Sequence, residues 1–318
     1  MSTSKQSDKD KSFYRASTLK RSRRTNSQLN QLDNQIIEVL RKDHPQSVRH
    51  IFYRMTDPRL PESVEKSDSG YRHVQDRCVK LRRSGRIPYE WIADMSRRGY
   101  FVNTYSDASE FISRMAGLYR ADLWADSDYS CEVWCESRSI ASIIQGDCNE
   151  LAVDLFPCGG FSSLSFVHFA AEQHNQSGDD RPLFIFYIGD YDPAGVLIDK
   201  SLERELRLHL DSNIDMQFVR IGINEHQIAK YDLPTKPRKA SDIRSQQVAS
   251  TVEAEAMPAR ILRGLLREQI ESLLPEGALA AAKIAEQSER DESPLVGQAE
   301  HGEPYLVRRL DFAPPAAP

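Results

Sequence analysis

The chain has 318 residues, 40% of them hydrophobic and 28% charged, a composition typical of a soluble globular protein with room for two modest domains. No apolar run approaches the roughly 20 residues that a membrane helix needs, and the polar N-terminus lacks the apolar core of a signal peptide. We therefore exclude a helical membrane protein and predict a cytoplasmic one, in keeping with five cysteines that show no paired zinc or disulfide spacing.

The net charge of -5 conceals an asymmetry between the front and the back of the chain. Residues 1–100 hold 22 Lys and Arg against 12 Asp and Glu, a balance of +10. The remaining residues hold 20 basic and 35 acidic side chains, a balance of -15. This distribution predicts a front that binds a polyanion and a back that can hold cations.

The first 28 residues are polar, with eight basic and two acidic side chains and no hydrophobic periodicity. Such a composition predicts a disordered basic arm. Its cluster at residues 20–24 has two interpretations that the sequence leaves open, phosphate contacts or a merely solubilising tail.

Residues 29–121 favour a winged helix-turn-helix domain. Apolar residues recur at helical spacing over 31–42 and 48–55, and a third helix is predicted over 71–84. The segment 87–92 would then form the wing.

The third helix of this domain is rich in cations, and only Asp76 opposes them. A helix of this kind suits the DNA backbone, where most contacts go to phosphates, and an ordinary solvated face is the alternative. The predicted DNA-binding residues are Arg72, Arg77, Lys80, Arg82, Arg83 and, just beyond the helix, Arg86.

Residues 129–290 are predicted to form an α/β domain, after a helix at 108–118 and an acidic boundary at 122–128. Apolar strands without alternation, separated by helical segments, are typical of a parallel sheet covered on both faces. There is no dinucleotide fingerprint and no P-loop. The predicted strands cover residues 131–136, 151–156, 183–188 and 216–221. One helix is predicted to begin near residue 139, and three others to cover 162–173, 196–210 and 259–274. Residues 291–318 are predicted to form a flexible tail.

Three acids stand where two of the predicted strands end. Asp190 and Asp192 follow the strand at 183–188 with an i, i+2 spacing that points both side chains the same way, and Glu136 ends the first strand. Because ligands bind at the carboxyl ends of parallel strands, these oxygens are predicted to hold one hard cation such as Mg²⁺. An ordinary turn and helix cap at Asp192-Pro193 is the alternative.

The order of these motifs resembles the Toprim domain, with an acid after the first strand, Gly159-Gly160 after the second and Asp-x-Asp-Pro-x-Gly after the third. The Pro-x-Gly extension is most similar to the topoisomerase VI A subunit and the meiotic double-strand-break transesterase. Two further segments resemble that family. The first, Arg49-His50-Ile51-Phe52-Tyr53, is similar to its Arg-x-aliphatic-aromatic-Tyr motif, with His50 in place of the usual acid. The second, Glu253-Ala254-Glu255-Ala256-Met257, is similar to its Glu-x-Glu-Ala-Leu segment.

The resemblance implies DNA cleavage of the type IIB topoisomerase A-subunit kind. Tyr53 would attack a DNA phosphate to give a phosphotyrosyl bond at a 5′ end. From position alone, and apart from the resemblance, Arg49 one helical turn earlier is a candidate to stabilise the developing charge and His50 a candidate proton acceptor. Mg²⁺ would be held by Glu136, Asp190 and Asp192. The resemblance also implies a homodimer on double-stranded DNA, a nucleoid-associated location and, for strand passage, a separate ATPase partner.

Two other functions fit the same residues. In a Toprim-type nuclease, water attacks the phosphate in the presence of the metal, and Tyr53 packs in the core or positions DNA. In a DNA-binding interaction protein, the fold is kept without turnover.

Overall fold

The protein is a mixed α/β structure with a parallel sheet at its centre. The computed structural model describes residues 24–93, 102–116, 119–159, 164–192, 195–237 and 250–292. In these ranges it has ten α-helices, a four-stranded all-parallel sheet and a two-stranded antiparallel pair. The predicted tail beyond residue 292, the first 23 residues, Gly160 and Pro193 lie outside the described residues.

Three helices form the N-terminal part, α1 (Asn26–Lys42), α2 (Val48–Met55) and α3 (Asp68–Arg83). Helix α2 has its predicted bounds. Helix α1 begins five residues earlier than predicted, because Thr25 forms a capping box with Gln28. The predicted disordered arm is therefore too long, since its last residues belong to α1 and to its cap.

Residues 87–92, the predicted wing, do not form a hairpin. Tyr89–Trp91 is a single 3-10 turn, and Ile92 makes one parallel bridge to Gln46. The three helices of the predicted helix-turn-helix are therefore present, and this segment does not confirm the wing.

Several of the predicted DNA-binding cations hold the N-terminal helices together instead. Asp33 of α1, whose side chain is 3% exposed, accepts hydrogen bonds from Arg77 at 2.6 and 2.5 Å and from Arg86 at 3.2 Å. Arg82 donates to the backbone carbonyls of Tyr89 and Ile92. The charge pattern alone could not show this, because Asp33 lies 44 residues before Arg77 in the chain.

Replacing Asp33 by Ala is expected to lower the free energy of unfolding by about 3 kcal/mol, because a partly buried Arg77 would lose its carboxylate partner. Urea unfolding measures the change. The matched control is Asp57→Ala, which removes an exposed pair with Arg59 and should change the stability little. Equal effects of the two substitutions would show that the Asp33 cluster does not stabilise the helices.

The central sheet contains β1 (Ser130–Cys135), β2 (Asp154–Pro157), β3 (Leu183–Ile188) and β4 (Met216–Gly222). Their order is β2-β1-β3-β4, and all neighbours are parallel. Strand β2 starts three residues later than predicted. The reason is local: Leu151 ends the preceding helix, and Ala152 turns the chain with a φ of 53°.

Helices cover both faces of the sheet, as its apolar strands predicted. Helices α5 (Arg138–Glu150) and α9 (Ala259–Glu271) pack on one face, and α6 (Leu164–Ser177) and α7 (Gly195–His209) on the other. The remaining described elements are α4 (Ala108–Ala116), α8 (Glu225–Lys230), β5 (Lys236–Pro237), β6 (Ser250–Thr251), a 3-10 turn at Ala254–Ala256 and α10 (Ala278–Glu292).

One hydrophobic core joins the N-terminal helices to the sheet. The cluster runs from Leu32 and Ile51 through Trp124 to Val133 and Leu262. Trp124 lies within the predicted acidic boundary, yet it is buried and donates from its indole nitrogen to the carbonyl of residue 151 at 2.9 Å. The boundary is therefore a packed junction within this shared core.

None of the helices in the described ranges is both long and apolar enough to span a bilayer. The five cysteines are all free, and three of them are fully buried.

Candidate functional site

The strand order creates a crevice at the carboxyl ends of β1 and β3. The chain runs from β1 outward to β2 and then crosses over β1 to β3, so the winding direction reverses between β1 and β3. Open parallel sheets bind ligands at such a switch point. Glu136 follows β1 directly, and Asp190 and Asp192 follow β3, so all three predicted acids lie at this crevice.

Backbone hydrogen bonds fix these acids. Glu136 donates from its amide to the carbonyl of Ile188 at 2.8 Å, and its Oε2 accepts from the amide of Asp190 at 2.9 Å. The amide of Gly159, the first glycine of the predicted pair, donates to the carbonyl of Glu136 at 2.8 Å. The first and third strand ends are thereby joined.

A third segment, residues 253–255, closes the crevice. Tyr191 and Val252 exchange two backbone hydrogen bonds of 2.8 and 2.9 Å, and Asp190 Oδ1 accepts from the amide of Ala254 at 2.8 Å. This places Glu253 and Glu255 on either side of the amide that binds Asp190. The proximity follows from pairing over more than 60 residues and has no local signal in the sequence.

Asp192 also serves the turn that follows. Its Oδ1 accepts from the amide of Gly195, the first residue of α7, at 2.5 Å. The predicted helix-capping role is thus present, and the second carboxylate oxygen makes no hydrogen bond to a described residue.

The acids at the crevice repel one another. Burial raises the pKa of Asp190 to about 8, and the charges of Glu136, Glu255 and Glu253 add to the effect. Burial, Asp192 and Glu255 likewise raise the pKa of Glu136. A group of carboxylates that raise one another's pKa favours either bound protons or a cation.

Within the described residues no three His, Cys, Asp or Glu side chains are arranged to hold a metal ion as they stand. Mg²⁺ rarely needs such a cage, because it keeps several waters and binds through one or two carboxylates together with substrate phosphates. The oxygen donors and their mutual repulsion fit this kind of cation in chemistry. Glu136, Asp190 and Asp192 are the residues that would hold it.

Arg49 and Tyr53 of α2 reach the same crevice from the N-terminal helices. The Tyr53 hydroxyl lies beside the carboxylate of Glu253, whose charge acts on the phenol, and Arg49 Nη1 donates to Glu253 Oε2 at 2.6 Å. Arg54 donates to the carbonyl of Ala256. Residues about 200 positions apart in the sequence therefore meet beside Asp190.

Tyr53 is only 4% exposed, and the reasons are visible in its contacts. Phe52 packs against its ring, and Lys66 Nζ lies 5.5 Å from its ring centroid. Burial and the adjacent Glu253 carboxylate raise the pKa of the phenol well above its ordinary value of 10. In this arrangement the hydroxyl keeps its proton.

His50 is not placed to accept that proton. Its ring is 1% exposed, and its Nδ1 lies 2.8 Å from Ser47 Oγ. Burial, helped by Arg54 and Arg263, lowers its pKa to about 3. The expectation that His50 is a proton acceptor for Tyr53 is therefore wrong.

Arg220 of β4 holds the loop that carries the two aspartates, and the sequence analysis missed it. Its Nη2 donates to the carbonyls of Gly189 at 3.1 Å and Asp190 at 2.5 Å, and its Nη1 donates to Asp199 Oδ2 at 2.7 Å. The sequence does contain a signal for this role. Arg220 is a single arginine in an otherwise largely apolar strand, and a buried cation requires hydrogen-bond acceptors nearby.

Among the predicted DNA-binding cations, Arg72, Lys80 and Arg83 project from α3 as exposed side chains. Arg77 and Arg82 are used inside the fold, and Arg86 is exposed while paired with Asp33. The surface available for phosphate contacts on α3 is therefore smaller than the charge pattern predicted.

Comparison of the chain with protein-family models, with curated protein sequences and with solved structures gave no significant match.

Proposed function

We propose that this protein cleaves DNA strands in a metal-dependent reaction, with Tyr53 as the nucleophile, in the manner of a topoisomerase VI A subunit. A winged-helix DNA-binding domain would precede a Toprim-like domain. One observation carries the proposal: the Tyr53 hydroxyl lies beside Glu253, and the Asp190 carboxylate accepts a hydrogen bond from the neighbouring amide of Ala254. A predicted nucleophile and a predicted metal ligand from distant parts of the chain thus share one crevice.

The acidic part of the crevice would receive a cation. Glu136, Asp190 and Asp192 supply the hard oxygen ligands that Mg²⁺ prefers. When bound, Mg²⁺ supplies charge neutralisation and positioning for a phosphate.

Tyr53 would supply the attacking oxygen. A free phenol has a pKa of about 10, so loss of its proton requires help from neighbouring charge. Arg49, one helical turn earlier, would stabilise the phenolate and the charge that develops on the phosphate. The Tyr53 phenol would release its proton to solvent water, its oxygen would form a bond to phosphorus as the bond from phosphorus to the 3′ oxygen breaks, and the leaving 3′ oxygen would take a proton from water.

DNA would lie across the exposed cations of α3, where Arg72, Lys80 and Arg83 suit phosphate contacts. A homodimer would bring two tyrosines to the two strands of a duplex. Strand passage would require an ATPase on a separate partner.

A nuclease that uses water is the second candidate, and the burial of Tyr53 favours it. Tyr53 is 4% exposed, and its hydroxyl lies beside the Glu253 carboxylate. In that case Tyr53 would position Glu253, and water would attack the phosphate.

Incubation with supercoiled plasmid, in Mg²⁺ or in EDTA, followed by denaturing capture of protein-linked DNA tests the proposal. The tyrosine reaction predicts Mg²⁺-dependent breaks and DNA that stays attached to denatured protein. Breaks without attached DNA would establish the water reaction instead. DNA binding without breaks would leave an interaction protein.

Replacing Arg220 by Gln is expected to weaken Mg²⁺ binding about tenfold or more, because partners that orient ligating groups commonly contribute that much to metal affinity. Calorimetric titration of the protein with Mg²⁺ measures the change. Arg207→Gln is the matched control, since Arg207 binds Glu203 and the carbonyl of Met216 away from the acids. Unchanged affinity in the Arg220 variant would remove its positioning role.

A further inference from the structure

A group of cations surrounds Tyr53, opposite the acids of the crevice. Lys66 Nζ lies 5.5 Å from the centroid of the Tyr53 ring and donates to the carbonyl of Thr235 at 2.9 Å. Lys236 Nζ lies 2.8 Å from Glu253 Oε1, and Arg49 Nη1 lies 2.6 Å from Glu253 Oε2. The sequence analysis missed both lysines, since neither belongs to a basic helix.

The charges in this group do not balance. Arg49 and Lys236 share the single carboxylate of Glu253, which uses both of its oxygens. Among the described residues Lys66 forms no ion pair, and its ammonium has a neutral carbonyl and the face of a ring as neighbours. Partial burial and the charge of Lys236 lower the pKa of Lys66. Glu255 is a second carboxylate whose charge acts on Arg49 and Tyr53, so three cations face two anions and leave a positive excess of one beside the Tyr53 ring.

Two of the three cations are partly exposed to solvent. The side chains of Lys236 and Arg49 are 46% and 44% exposed. On the other side of the 253–255 segment, around Asp190, negative charge is in excess, and the neighbouring carboxylates raise the pKa of Asp190. A cation-binding half and an anion-binding half thus adjoin at Glu253.

We infer that Lys66 and Lys236, together with Arg49, form a binding site for a backbone phosphate of DNA beside Tyr53. A phosphodiester carries one negative charge on oxygens that accept hydrogen bonds from ammonium and guanidinium groups. The inference rests on the proposed function, because the phosphate bound here is the one that lies next to the nucleophile.

Salt-dependent DNA binding tests the site without any reaction. In EDTA, Lys66→Gln and Lys236→Gln should each weaken duplex binding several-fold and lower the slope of log affinity against log salt by about 0.9. Lys66→Arg should keep the slope of the parent protein. The matched control is Lys200→Gln, which removes the same charge from an exposed position on α7 and should change neither quantity.

Lysine acetylation of the parent protein gives a second measurement. Added duplex DNA should protect Lys66 and Lys236 from acetylation, read by mass spectrometry, and leave Lys200 unchanged. The inference is overturned if both lysines react equally with and without DNA, or if Lys66→Gln binds DNA as Lys200→Gln does.

The two proposals can fail separately. Protected lysines without Mg²⁺-dependent breaks would support the phosphate site and remove the cleavage reaction. Breaks in a protein whose lysines are not protected would keep the reaction and remove the site.

Discussion

Tyr53→Phe is expected to abolish protein-linked DNA and to slow strand cleavage at least about a thousandfold, because the substitution removes the attacking oxygen. The fold should survive. The variant keeps the packed ring and loses only the hydroxyl that lies beside Glu253. DNA affinity in EDTA should equal that of the parent protein. Denaturing capture and gel analysis of plasmid products measure the result.

Tyr71→Phe is the matched control for this substitution. Tyr71 packs against Phe52 and lies 5.5 Å from the Arg49 guanidinium, so the change removes a hydroxyl from the same neighbourhood. It should leave cleavage intact. Cleavage by Tyr53→Phe at the rate of the parent would contradict the tyrosine reaction and support attack by water.

Asp190→Asn is expected to abolish Mg²⁺-dependent cleavage and, in EDTA at pH 8, to stabilise the fold. The amide keeps an oxygen for the Ala254 amide and removes one of several mutually repelling charges. The two effects have opposite signs, so a simple loss of folding cannot explain both. Thermal unfolding and plasmid cleavage, measured on the same preparation, check them.

The pH dependence of stability follows from the same carboxyl. Its pKa of about 8 in the fold lies above its ordinary value of 3.8, so the folded protein keeps a proton that the unfolded chain releases. The contribution of the Asp190 carboxyl to the free energy of unfolding should therefore be fully present below about pH 4. It should fall as pH rises towards 8, by at most about 1.4 kcal/mol per pH unit.

Mg²⁺ should reduce this loss, since a bound cation replaces the proton, and Asp190→Asn should remove it. The control is Asp180→Asn, an exposed residue in the turn before β3. A parent protein whose stability in EDTA is independent of pH between 5 and 8 would contradict the carboxylate cluster.

The sheet and its acids were predictable because their signals are local. Apolar strands without alternation predict burial on both faces, and β3 and β4 lie where that pattern placed them. Glu136 and Asp190 follow strand ends directly, so the parallel sheet brings them to one edge. The start of β2 was wrong by three residues, since its position depends on a positive φ at Ala152.

The neighbours of the acids were not predictable in the same way. Lys66 lies in an irregular segment and Lys236 in the two-residue strand β5, and their positions beside Tyr53 and Glu253 depend on how distant segments pack together. Arg77 looked like a DNA contact because its partner Asp33 lies on another helix. A sequence pattern reports charge and spacing, while tertiary packing decides which charges are already paired.

Mass spectrometry of the tryptic peptide covering residues 50–54, after incubation with plasmid and Mg²⁺ and then nuclease digestion, tests the central claim most directly. This peptide contains Tyr53 as its single tyrosine. We expect a nucleotide mass on that residue in Mg²⁺ and none in EDTA or in the Asp190→Asn variant. Broken plasmid together with an unmodified peptide would contradict the account.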